Sequence, residues 1–114
     1  MPIKSRVSKD QRGRSRTVTR LDCRIEFKNA VYDATIIDLS PKGALISSQG
    51  KPAIHDEVKI NLMTKHLPGE LKLTGKVLRI SDVMTEYGRR SRLAVLFYEC
   101  PLDLIVLIGK LNKE

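Results

Sequence analysis

The sequence predicts an all-β fold: a six-stranded antiparallel barrel, preceded by a flexible basic N-terminal arm and followed by a short C-terminal helix. Three observations lead there. Apolar and polar residues alternate along six short stretches, turn-forming residues separate those stretches, and helical spacing appears only near the C-terminus. With 114 residues the chain is long enough for one domain that buries roughly two-thirds of its unfolded surface, and too short for a second. The expected organisation is an arm over residues 1–15 and a single barrel domain with its helix over 16–114.

Residues 1–15 carry only Ile3 and Val7 as sizeable apolar side chains after Met1. Such a segment cannot bury enough surface to offset its ordering entropy, so it is expected to stay mobile until something binds it. From Leu21 the period becomes two: Leu21, Cys23, Ile25 and Phe27 alternate with Asp22, Arg24, Glu26 and Lys28, the pattern of a half-buried strand. Lys28-Asn29-Ala30 supplies a turn, and Val31 to Ile37 reads as the return strand with Tyr32, Ala34 and Ile36 on one face. Ala44-Leu45-Ile46 is a third strand, ended by Ser47 to Pro52, and Glu57 to Leu62 alternates as a fourth.

His66-Leu67-Pro68-Gly69 turns the chain into a fifth strand, Leu71 to Ile80, within which Gly75 reads as a bulge or corner. Arg92 to Tyr98 forms the sixth. Arg89, Arg90 and Arg92, beside Gly88, read as solvated charges of the last hairpin. Pro101 to Lys113 fits a helix, because Pro101 suits a first turn, Asp103 lies near the positive end of the dipole, and Lys110 and Lys113 lie near the negative end. Leu104, Leu107, Ile108 and Leu111 make one apolar stripe, widened by Leu102, Ile105 and Val106. That surface is broader than one docking face needs, so two readings stay open: the helix is fully buried, or it covers a barrel opening and also offers a contact for homo-oligomerisation.

The formal net charge is +8, and it is uneven. Residues 1–20 hold seven Lys and Arg against Asp10 alone, a net +6, which leaves the body close to neutral. A cluster of positive charge raises the local concentration of anions, so the partner is expected to be anionic: a phosphodiester ligand, RNA or an acidic protein. Cys23 and Cys100 are the only thiols, with no CxxC or Cys/His cluster, and read as reduced cysteines. His55 and His66 have no companion ligands, so no metal is expected. Apolar runs such as Leu104 to Ile108 are far short of a membrane span and the N-terminus lacks a signal-peptide core; a cytoplasmic protein is expected.

Two short motifs carry the chemistry. Arg16-Thr17-Val18-Thr19-Arg20 reads RxxxR, and Asp38-Leu39-Ser40-Pro41-Lys42-Gly43 reads DxSxxG in a tight turn, one hairpin later. Guanidinium is planar, permanently charged and presents paired donors, so Arg16 and Arg20 suit phosphate oxygens or the O6 and N7 of guanine. Asp38 is an acceptor-only carboxylate that matches the adjacent N1–H and N2–H donors of a guanine edge, and Ser40 adds a hydroxyl. Gly43 lacks a Cβ, which admits a bulky ligand to its backbone and permits positive φ. Arg12, Arg14 and Lys42 are secondary candidates for phosphate contacts. No nucleophile, base and orienting partner assemble, and the glycine-rich loop of a nucleotide hydrolase is missing, so no enzyme activity is expected.

The order and spacing of RxxxR and DxSxxG resemble the PilZ domain, a bacterial receptor for cyclic di-GMP. Gly75 to Ile80 and Leu93 to Phe97 look like that family's last two barrel strands, so the resemblance runs from about Arg12 to Leu111. It implies a PilZ-type barrel in which Arg16 and Arg20 hold phosphates and a guanine Hoogsteen edge, while Asp38 and Ser40 read a guanine from the barrel surface. The implied ligand is cyclic di-GMP, bound without cofactor, with the signal passed by arm ordering to a downstream protein. Many family members carry an arginine where this chain has Ser15, a position that bears on whether one ligand or a stacked pair is bound. The alternative is a basic-arm β-barrel that binds RNA; its charge fits, but base stacking favours exposed aromatics, and the chain has no tryptophan.

Overall fold

The computed structural model describes residues 17–86 and 88–113. The arm, together with Arg12, Arg14, Arg16 and Tyr87, lies outside the described residues. Six strands run β1 (Thr17–Phe27), β2 (Ala30–Leu39), β3 (Gly43–Ser48), β4 (Glu57–Leu62), β5 (Leu71–Thr85) and β6 (Gly88–Phe97), followed by helix α1 (Leu102–Asn112). The strands close antiparallel in the order β1-β2-β3-β6-β5-β4, with β1 pairing β4 to complete the ring. All six predicted strands and the helix are present.

Local chemistry explains the connections. Lys28 and Asn29 both take positive φ, 53° and 65°, and Phe27 pairs with Ala30, so β1 and β2 are joined by a two-residue turn whose twist matches that of the strands. Inward residues of every strand meet in one core, in which Ile25, Ile36, Ile46, Val58, Ile60, Leu62, Val77 and Leu93 are fully buried. Phe27 and Phe97 belong to the same core. Helix α1 adds Leu104, Leu107 and Ile108, and its last turn is tied to the start of β1, where the Thr17 hydroxyl donates to Asn112 Oδ1 at 2.8 Å. Leu102, Ile105 and Val106 point outward and are exposed in the single chain, the surface to which the reading of self-association refers.

Strand lengths differ from the sequence reading at the last hairpin. β5 and β6 extend past the barrel as a two-stranded ribbon, so Arg89 and Arg90 sit in the same strand as Arg92, not in a turn. Gly75 is not the bulge. A Cβ there would lie 2.5 Å from the Leu96 carbonyl oxygen, so the glycine serves close approach of β5 and β6, and the break in register falls between Val77 and Arg79.

Candidate functional site

Two bulges decide which side chains reach the outer surface. In β2, Ile36 pairs with Ile46 and Asp38 with Leu45, so Ile37 is an extra residue. Ile36 and Leu39 both point into the core. Without the extra residue, strict alternation would send Asp38 inward after Ile36; the bulge turns its carboxylate out and returns Leu39 to the core. β5 repeats the device. Val77 is buried opposite Val95, Arg79 pairs with Ala94, and the intervening Leu78 is the extra residue that lets Arg79 face solvent.

The register then lines up one outward row across five strands: Val18, Asp38, Leu45, Ala94 and Arg79. Beneath it is an open groove of about 240 Å3, with Asp38, Ser40 and Lys42 at one side, Leu45, Ala94 and Leu96 as an apolar floor, and Arg79 at the other. Arg20 lies next to this row, because a bulge in β1 between Val18 and Leu21 places Thr19 and Arg20 opposite Ile37. Arg20 is exposed, and Val18 is 86% exposed directly opposite Asp38. The structure therefore brings Arg20, Asp38, Ser40, Lys42 and Gly43 together at one end of the barrel face.

The DxSxxG turn is held by its own hydroxyl. Ser40 Oγ accepts from the backbone N–H of Lys42 and of Gly43, each at 3.2 Å, and donates to the Gly43 carbonyl at 3.3 Å, while the Ser40 N–H donates to the same carbonyl at 2.9 Å. Ser40 thus shapes the turn before it contacts anything else; its long donated bond is the one a ligand would compete for. Gly43 has a structural reason too. A Cβ on it would collide with the Val95 carbonyl oxygen, and its φ is not positive, so its lack of a side chain lets β3 lie against β6 and does not serve a left-handed turn. Lys42 points to solvent, and its carbonyl accepts from the Phe97 N–H at 2.8 Å.

Arg79 was not singled out by sequence, although a signal existed. Counting by twos from Leu71 and Leu73 puts Arg79 inward and Ile80 outward, a conflict that a bulge resolves. The same count from Ala34 and Ile36 puts Asp38 inward.

A larger groove of about 830 Å3 lies elsewhere on the barrel, among Asp22, Arg24, Asp33, Asn61, Glu70 and Arg90. Its three carboxylates oppose an anion, and its guanidiniums are engaged: Arg24 with Asp33 at 3.6 Å, Arg90 with the Ser47 hydroxyl at 3.0 Å and the Ser47 carbonyl at 3.3 Å. Burial, and secondarily the Asp22 carboxylate, pushes the Cys23 thiol up to about 12, so it is no nucleophile at neutral pH. Among the described residues no cluster of His, Cys, Asp and Glu could hold a metal ion, and no helix is long and apolar enough to cross a membrane.

Among solved structures, the PilZ domain with c-di-GMP of YcgR from Escherichia coli matches with a TM-score of 0.70 at 19% identity, over 86% of this chain and 88% of that one. The Borreliella burgdorferi PlzA protein in complex with c-di-GMP matches at 0.63 and 20% identity, over 96% of this chain and 44% of its own length. The inhibitor of motility MotI/DgrA of Bacillus subtilis matches at 0.67 and 12%, over 87% and 48%. These likenesses establish the fold. No curated protein sequence matches significantly. The family profile of the PilZ domain matches residues 10–106. Barrel, motif order and profile agree: the chain belongs to the PilZ domain family.

Proposed function

We propose that this chain is a non-catalytic receptor for cyclic di-GMP, which binds between the RxxxR segment and the DxSxxG turn and needs no further cofactor. The observation that carries the reading is the outward row: a carboxylate able to accept from guanine N–H groups, at the end of an apolar floor that suits a purine face, with the exposed guanidinium of Arg20 beside it. The PilZ domain of YcgR and the PlzA protein, less than half of which matches this chain, are both described with c-di-GMP. Arg16 joins Arg20 as the second arginine of the motif, and Arg12, Arg14 and Lys42 supply further charge. In this reading Ser40 and Gly43 fix the turn, and Asp38 reads the base.

Ligand binding orders the arm, and the ordered arm presents a new surface to a downstream protein in the cytoplasm. The ligand shifts the arm only by as much as it binds the ordered state more tightly. The Thr17 to Asn112 hydrogen bond gives the same event a route to α1, since Thr17 lies inside the arginine motif. RNA binding is less well served. Among the described aromatics only Tyr98 is exposed, while Tyr32 is half-buried against Phe27 with ring centroids 4.9 Å apart. Isothermal titration against cyclic di-GMP, GTP and a short RNA tests the reading: heat with the dinucleotide alone supports it, and no heat at high micromolar ligand, or preference for RNA, rejects it.

A further inference from the structure

The outward row has a polarity. Asp38, the acidic member of the row, lies toward one end beside Val18; Arg79 stands three strands away, at about 14 Å between backbones given roughly 4.8 Å per strand, with Leu45 and Ala94 between them. Arg79 is exposed, lines the same groove as Asp38, and has no carboxylate partner among the described residues. Its diagonal neighbour on β6 is Arg92, two residues before Ala94 and also exposed. Diagonal cross-strand positions lie about 7–8 Å apart, close enough for two long guanidinium side chains to converge on one anion. Asp82, a nearby acid on the ribbon, is instead paired with Lys51 at 3.2 Å. The β5 bulge matters here, because bulges beside binding sites re-aim side chains, and this one aims a charged group at a groove that alternation alone would deny it.

The geometry points to a second anion subsite: Arg79, assisted by Arg92, grips one phosphodiester of the ligand from the barrel side, while the RxxxR arginines grip the other. This rests on the cyclic di-GMP reading and adds to it a fixed phosphate anchor that is independent of the arm. A cyclic dinucleotide has two phosphodiesters and two bases. The row offers one base-reading end and one phosphate-holding end, the polarity of a guanosine monophosphate half laid across the sheet.

The test is calorimetric titration of cyclic di-GMP into the wild type, R79A, R79K and R92A at three salt concentrations, with melting temperatures as the folding control. The expected result is a 10- to 100-fold weaker Kd for R79A, partial recovery in R79K, a smaller loss in R92A, and a shallower dependence of log Kd on log salt in R79A. Preference for cyclic di-GMP over cyclic di-AMP should survive R79A, since the base is read at Asp38. Wild-type binding with R79A within twofold of it, or with an unchanged salt slope, overturns the subsite while leaving the receptor reading intact. A wild type that shows no binding overturns both.

Discussion

Replacing Gly43 by alanine tests whether the motif glycine is there for the strands. The new Cβ would overlap the Val95 carbonyl oxygen and approach the Val95 carbonyl carbon at 3.2 Å and the Leu96 Cα at 3.4 Å. All three are backbone atoms of the strand hydrogen-bonded to β3, so no rotamer change relieves the contact. The turn must lift from β6, which lengthens the 2.8 Å bond from the Phe97 N–H to the Lys42 carbonyl. Overpacking of this kind costs about 1–3 kcal/mol and a weakened hydrogen bond about 1 kcal/mol more. At about 4–8 °C per kcal/mol for a domain near this size, the melting temperature should fall by roughly 8–32 °C. Circular dichroism melts of wild type and G43A measure this directly. Cyclic di-GMP binding by folded G43A at low temperature should also weaken, because Asp38 and Ser40 ride on the displaced turn. A melting temperature within about 2 °C of wild type would refute the close-packing argument.

Asp38→Ala should weaken cyclic di-GMP binding about 10- to 150-fold, from the loss of a charge-assisted pair worth roughly 1.5–3 kcal/mol, and should erase preference over cyclic di-AMP; a variant that keeps the preference places base reading elsewhere. Cys23 predicts an alkaline sensitivity. Below 9.0 the thiol is protonated folded and unfolded alike, whereas between 9.0 and about 12 only the unfolded chain loses the proton, so stability falls as pH rises. The fall is at most about 1.4 kcal/mol per pH unit, and it should disappear in Cys23→Val; parallel urea midpoints for the two proteins from pH 8.5 to 10.5 would contradict it. Thr17→Val removes the bond to Asn112 and should cost about 1 kcal/mol, read as faster hydrogen exchange in the last turn of α1; unchanged exchange would remove that link from the relay.

Much of the architecture was legible because one face of each strand is buried, which forces period two on β1 and β4 and gives their apolar residues away. The helix was legible for the same reason, through Leu104, Leu107 and Ile108. What stayed hidden were the bulges. A single extra residue at Ile37 or Leu78 changes which face every following side chain occupies, and the cue is only a charged residue at an apparently inward position. The site was half legible. Asp38, Ser40 and Gly43 stand out as a motif, yet the Ser40 hydroxyl turns out to bond its own turn and Gly43 to meet Val95, because short polar and bare residues serve local structure as readily as ligands. Arg79 could be joined to them only through the pairing of β2, β3, β6 and β5, residues far apart in sequence.

The most direct test of the account is a titration of 15N-labelled protein with cyclic di-GMP, followed amide by amide. Binding across the outward row predicts saturable shifts at Val18, Asp38, Gly43, Leu45, Ala94 and Arg79, with the surface around Asp22, Asn61 and Glu70 unmoved. Saturable shifts at Asp22, Asn61 and Glu70, with Asp38 and Gly43 unmoved, would contradict it.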